Sequence, residues 1–215
     1  MTDVTGEIRP ESEHFGRKHT QVTEAARRLF MQHGFSGTST DAIAREAGVS
    51  KATLYSYYTS KEILFGQLVS EECAAIQADL VLPTLSDGFV VGLRCFARVY
   101  VRLFSRKREK SMCRIMASES TRFPDLCWQF YEMGPLATTR RLAQFLLDAR
   151  EVGFIEMEDA TIAASQFLSL IRGDLPLRAM LSLEVASDDE LEAGIEAGLQ
   201  TFMRAYGVKD DGAGS

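Results

Sequence analysis

The side chains that most often carry catalysis are few in this sequence, and their spacing fits no familiar reaction. Its three histidines, His14, His19 and His33, all lie near the N-terminus. None is spaced as a metal pair or sits beside a nucleophile motif. The four cysteines, Cys73, Cys95, Cys113 and Cys127, form no CxxC pair, so they read as small buried hydrophobes. A redox role would require exposure and a lowered pKa. No glycine-rich phosphate cradle occurs. These features point away from an enzyme, and no metal or cofactor is expected. What remains is a face suited to hydrogen bonding rather than bond making: Lys51, Ala52, Thr53, Tyr55 and Tyr57, gathered within seven residues.

The local pattern explains how such a face would be held. Val22, Ala25, Ala26, Leu29 and Phe30 recur at helical spacing, which predicts one amphipathic helix from Arg17 to His33. Gly34 follows as a left-handed stop. A short second helix starts at Thr40, capped by its own hydroxyl or that of Ser39, with Asp41 at its positive end and Ile43, Ala44 and Ala47 inward. Gly48 turns the chain, and Ser50 caps a third helix, Lys51 to Tyr58, with Leu54 and Tyr58 inward. Two short helices crossing closely on alanines at a glycine turn make a helix-turn-helix, whose second helix stands out far enough to enter a DNA major groove about 12 Å wide.

The bulk properties are compatible with that reading. The chain has 215 residues, 46% of them hydrophobic, enough for a packed core. No apolar run approaches the roughly 18 residues of a membrane span, and the first 20 residues lack the apolar stretch of a secretory signal. The cytoplasm is the expected location. Net charge is −6, but residues 17–65 are mildly basic, with most of the acid elsewhere.

Residues 25–65, AARRLFMQHGFSGTSTDAIAREAGVSKATLYSYYTSKEILF, closely resemble the DNA-binding domain of the TetR family of transcriptional regulators without a gap. The resemblance implies roles for particular residues. Ser39 and Thr40 would meet phosphate at the start of the second helix, and Lys51, Ala52 and Thr53 would face base edges. Tyr55 and Tyr57 would touch the sugar-phosphate strand, and Lys61 would hold a phosphate at the start of the fourth helix. Hydroxyls and ammonium groups suit phosphate oxygens, and a threonine or alanine methyl suits thymine. Arg17 and Lys18 could add contacts beside a flexible arm of residues 1–16. Two features depart from expectation. Tyr58 stands where the family usually has phenylalanine, so its hydroxyl needs a partner. The recognition helix also lacks arginine, leaving base discrimination to Lys51, Thr53 and DNA shape.

Beyond residue 65 the pattern is wholly helical, with helices expected at 61–81, 88–105, 109–121, 124–152, 159–182 and 188–206. The fold class is all-α, about nine helices in total. The expected domains are 17–64 for DNA binding and 65–208 for effector binding and dimerisation, followed by a disordered tail at 209–215. Gly134-Pro135 should kink the longest helix. The stretches ASESTRFPDL and FLSLIRGDLPLRAM resemble the C-terminal domain of AefR-like TetR regulators, which implies an effector domain without naming the effector. Leu191, Gly194, Ile195, Gly198, Leu199 and Phe202 recur along the last helix, with Met203, and Ile162, Phe167, Leu170, Leu177 and Leu181 along its companion, with Ile171. Together they predict a four-helix dimer interface, with intrachain packing as the alternative. Phe89, Phe96, Tyr100, Met112, Met116, Trp128 and Tyr131 could line an apolar ligand pocket or simply be core. Arg94, Arg98, Glu119, Arg122 and Arg140 are candidate polar anchors. The family likeness implies a homodimer on palindromic double-stranded DNA, commonly a repressor released by a small apolar or amphipathic effector. The alternative is an adaptor that keeps the fold without DNA binding.

Overall fold

The computed structural model describes residues 11–82, 85–104, 107–184 and 186–208; the expected arm over residues 1–10, Pro83 and the tail at 209–215 lie outside these. The described residues form eleven α-helices and no named strand. The chain divides into two compact units between Val69 and Ser70.

The first unit contains α1 (Glu11–His33), α2 (Thr40–Glu46), α3 (Lys51–Tyr57) and the start of α4 (Lys61–Asp79). Because α1 begins at Glu11, residues 11–16 are helical rather than part of a flexible arm, and Arg17 and Lys18 lie on a helix. The apolar face of α1 is buried as its spacing predicts, with Val22, Ala25, Ala26 and Phe30 covered. Phe35 folds back so that its ring centroid lies 5.7 Å from Phe30 and 5.0 Å from Phe65, while Phe30 and Phe65 meet at 4.9 Å. Burying such rings contributes roughly 1.5–3 kcal/mol each, and this trio fixes where α2 can start. Gly34 at φ 75° and Gly48 at φ 64° end α1 and α2 in the left-handed region, where a β-carbon would crowd the following carbonyl.

The second unit holds the rest of α4, then α5 (Phe89–Leu103), α6 (Lys107–Glu119), α7 (Pro124–Tyr131), α8 (Ala137–Glu151), α9 (Ala160–Arg172), α10 (Leu175–Met180) and α11 (Asp188–Tyr206). Here α9 packs against both α8 and α11, and α11 also packs on α5. Leu93, Phe96, Leu142, Leu146, Phe167, Ile171, Leu199 and Phe202 belong to one buried core. Two expected helices are each split. The span 124–152 is interrupted by a π-helical turn at Glu132–Leu136, since Pro135 has no N–H to donate in α-helical register. The span 159–182 breaks at Gly173, φ 48°, and resumes after Asp174 with Pro176 in the first turn of α10. The chain closes with an antiparallel bridge between Ile155 and Gly207. Among the described residues, no helix is long and apolar enough to cross a membrane.

Candidate nucleic-acid interface and ligand cavity

Two serine caps set the start of each short helix. Ser39 Oγ accepts from the Ala42 amide at 3.1 Å, and Ser50 Oγ accepts from the Thr53 amide at 3.0 Å. Each cap satisfies an otherwise unpaired amide, a contribution of about 1 kcal/mol. For α2 it is Ser39, and not Thr40, that caps. Thr40 is thereby free to face α3, and its Oγ1 lies 3.3 Å from the Tyr55 hydroxyl. Asp41 reaches the same way, its carboxylate 2.5 Å from Lys51 Nζ. That hydrogen bond and the opposite charge hold the Lys51 ammonium above its usual pKa.

These cross-helix pairs assemble one polar surface from α2 and α3. Ser39, Lys51, Ala52 and Tyr55 are exposed on it, and Thr40, Thr53 and Tyr57 are half-buried. Tyr55 leaves 45% of its surface open, which removes it from the core. Behind this surface Leu54 is fully buried and Tyr58 nearly so. The Tyr58 hydroxyl finds two partners in α1, His19 Nε2 at 2.8 Å and Thr23 Oγ1 at 3.3 Å. His19 also stacks on Tyr58 and meets Tyr57 edge-on at 5.6 Å. A Tyr58→Phe protein should therefore lose about 1 kcal/mol, read as a melting temperature lower by about 2–4 °C. An unchanged or raised melting temperature would show that the hydroxyl network contributes nothing.

Lys61 sits differently from its expected role. Its Nζ donates to the Phe35 and Thr38 carbonyls, both at 2.9 Å, and lies 4.3 Å from the Phe35 ring centroid. The ammonium is turned inward onto the loop ahead of α2, because that loop's carbonyls need donors that no helix supplies. In this geometry it fastens that loop.

The second unit contains a cavity of about 230 Å³. Its walls come from α4 (Glu72, Cys73, Ile76), from Tyr100 and from Met112, with the π-turn (Gly134, Pro135) and Arg172 completing it. The remaining lining side chains are mostly apolar. Burial, together with Cys113, pushes the Cys73 thiol up to about 11, so it stays protonated and unreactive at neutral pH. The π-turn is tied to α4 by Gln77, whose Nε2 donates to the Gly134 carbonyl at 3.1 Å and to Thr138 Oγ1 at 2.7 Å.

Of the residues expected to line a pocket, Tyr100 and Met112 do so. Phe89 and Phe96 do not. Phe89 stacks between Phe145 and Phe154, at 5.8 and 5.6 Å, inside the core. Phe96 is a buried core residue and Met116 is buried outside the cavity lining. Trp128 and Tyr131 point outward on α7, paired with each other at 5.6 Å. None of the expected polar anchors lines the cavity. Arg94 and Arg98 instead fork onto Glu196 and Glu192 of α11. Among the described residues, no group of three or more His, Cys, Asp or Glu side chains is placed to hold a metal ion.

Residues 22–68 match the family model described as bacterial regulatory proteins, tetR family, and residues 91–208, more than half of the chain, match the C-terminal domain of AefR-like transcriptional repressors. The chain belongs to the TetR family. The solved structure of the flavonoid-responsive regulator FrrA is similar at 50% identity and TM-score 0.82, covering 90% of this chain and 99% of that one. The transcriptional regulator UidR of Escherichia coli K12 is 26% identical over 185 residues, 86% of this chain and 90% of that protein. MftR, a mycofactocin biosynthesis regulator of Mycobacterium tuberculosis, is 37% identical over 59 residues, 26% of this chain and 30% of that protein. The last match is local: the chain spans less than a third of MftR.

For a TetR-family regulator the outer faces of α9, α10 and α11 matter next, and here the expected interface needs correction. Phe167, Leu191, Ile195, Leu199 and Phe202 are buried within their own chain, with Phe167 and Phe202 in edge contact at 5.1 Å. Gly198 is also buried. A β-carbon there would lie 3.0 Å from the Leu170 carbonyl carbon and 3.1 Å from the Ile171 amide, so this glycine lets α11 cross α9 closely. The apolar stripe of α11 is thus the seam to α9. Ile162, Leu170, Leu177 and Leu181 remain exposed, and so does Gly194, with nothing within 4 Å of a β-carbon placed there. The exposed face of α11 carries the small residues Ala193, Ala197 and Thr201, which the apolar pattern did not single out. Glu72, Cys73, Arg172 and Asp41 were likewise missed. Only Gly134-Pro135, read as a kink, marked a cavity wall.

Proposed function

We propose that this TetR-family regulator is a cytoplasmic homodimeric repressor that binds a palindromic operator and is released by a small, flat, amphipathic effector. The observation that carries the reading is the polar surface of α2 and α3, on which Ser39, Thr40, Lys51, Ala52, Thr53, Tyr55 and Tyr57 gather beside a buried Leu54 and Tyr58. Its donors suit phosphate oxygens at the edges and base edges at Lys51 and Thr53. Arg17, exposed on α1, and half-buried Lys18 can add charge to the same unit.

Dimerisation is supported by the uncovered apolar side chains Ile162, Leu170, Leu177 and Leu181, together with the small exposed residues of α11. A two-fold pair of such faces would bury them and present two α3 helices to successive major grooves. The cavity is the proposed effector site. The flavonoid response named for FrrA, half identical to this chain, favours a flavonoid or a similar planar aromatic. Since α4 contributes Glu72, Cys73 and Ile76 to the cavity and begins in the first unit, an effector there would act on a helix that continues into it. Such a ligand shifts the protein only by its difference in affinity between the two forms.

Selection of bound fragments from random duplex DNA tests the reading. A two-fold symmetric consensus is the expected result, and no duplex preferred over a scrambled competitor at low ionic strength would overturn it. Within that consensus, Thr53→Ala should change the preference at one base position of each half-site by about five-fold, on the order of 1 kcal/mol. An identical preference profile would remove Thr53 from the base-reading set.

A further inference from the structure

Two ionisable side chains, Arg172 and Glu72, line one mostly apolar cavity, and their placement says more about the ligand than the cavity's size does. Arg172 lies in the last turn of α9, where a plain helix-end arginine would point to solvent. Instead it lines the cavity together with the Tyr100 phenol, while one of its Nη atoms donates to Ser169 Oγ at 3.4 Å. Tyr100 is nearly buried, and burial pushes its phenol above the ordinary value, with Arg172 drawing it partly back. The phenol therefore stays protonated at neutral pH. Its proton is available to a ligand in the cavity that it lines with Arg172. Elsewhere in the lining, Glu72 contributes a buried carboxyl group.

We propose that the Arg172–Tyr100 pair is the specificity-determining corner of this cavity and takes an acidic oxygen, a phenolate or a carboxylate, carried on a flat aromatic body. The inference rests on the reading of the cavity as the effector site and adds the chemistry it selects. A cavity of about 150 Å³ lined by apolar side chains holds one benzene ring, so the 230 Å³ here takes a body of about two rings. An apolar parent without the oxygen would cover the guanidinium while offering it nothing. Sites built to hydrogen-bond a ligand hydroxyl reject the analogue that lacks it by large factors. With Arg172 only half-buried, the discrimination should be on the order of ten- to a hundred-fold.

Two-ring probes test this by calorimetry on the full chain: 2-naphthoate, 2-naphthol and 2-methoxynaphthalene, whose oxygen is masked. Wild-type protein should bind 2-naphthoate and 2-naphthol at least ten-fold more tightly than 2-methoxynaphthalene. Arg172→Met should erase that preference, in part by tightening the methoxy probe, while leaving the ligand-free DNA affinity within about two-fold. Arg172→Lys, which keeps the charge without the fork, should restore part of the preference for 2-naphthoate. Equal binding of all three probes by wild type would overturn the charged corner and leave the effector site standing. So would a preference that survives in Arg172→Met. Binding of none of them, nor of a flavonoid, would overturn the effector-site reading itself.

Discussion

Replacing Gly198 with leucine should lower the melting temperature by roughly 6–12 °C, a loss of about 3 kcal/mol, whatever happens to the oligomeric state. The atoms that a side chain would strike are backbone atoms of Leu170 and Ile171 at 3.0 and 3.1 Å, which cannot swing aside as a side-chain tip could. The two helices must separate, exposing Phe167 and Phe202, which meet at their crossing. Gly198→Ala should cost less, since a gain of about 1 kcal/mol in helix propensity offsets part of the strain. Gly194, one turn earlier, supplies the contrast. It faces open space, so Gly194→Ala should not destabilise the subunit, and Gly194→Trp should weaken self-association in sedimentation without disturbing the fold. A Gly198→Leu protein that melts like the wild type but sediments as a monomer would invert these assignments.

Lys61→Ala should be the other large effect, a loss of about 3 kcal/mol from the removal of two charge-assisted hydrogen bonds and the contact with the Phe35 ring. The Thr38 carbonyl loses the Lys61 donor, the Phe35 carbonyl keeps only the Thr38 amide at 3.3 Å, and the loop that positions Ser39 and Thr40 loosens. Thermal melts should show the loss in the absence of DNA. Operator affinity should fall as well, because the polar surface of α2 is less ordered, while the slope of affinity against salt changes by less than one counterion. Lys61→Met, which keeps most of the stem over Phe35, should recover part of the stability. The opposite pattern, an unchanged melting curve with a slope flattened by about 0.9, would return Lys61 to direct phosphate contact.

The difference between Lys61 in sequence and Lys61 in the folded chain has a simple origin. A lysine at the start of a helix reads the same whether its ammonium reaches outward to phosphate or inward to carbonyls 23 and 26 residues earlier. The same ambiguity governs α11. A period of three to four residues shows that Leu191, Ile195, Leu199 and Phe202 share a covered face, but not whether the cover is α9 of the same chain or a second subunit. The break at Gly173 was present in the residues, as Gly-Asp followed by Pro176, yet the apolar spacing runs through it. The cavity was the least legible feature, because Glu72 and Arg172 belong to helices far apart in sequence and neither carries a local motif.

By itself the sequence determined the all-helical class, the helix-turn-helix with its Ser50 cap and glycine turns, the buried Leu54 and Tyr58, and the family. These rest on interactions within about four residues along the chain: hydrogen bonds of a helical turn, caps, and the repeat of an apolar face. Only the tertiary structure decided that Tyr58 is answered by His19, that Asp41 holds Lys51, that Gly198 serves the subunit's own core, and that Arg172 and Tyr100 line one cavity. Each of these depends on which faces of distant helices meet, and close packing settles that only when every helix has found its partner.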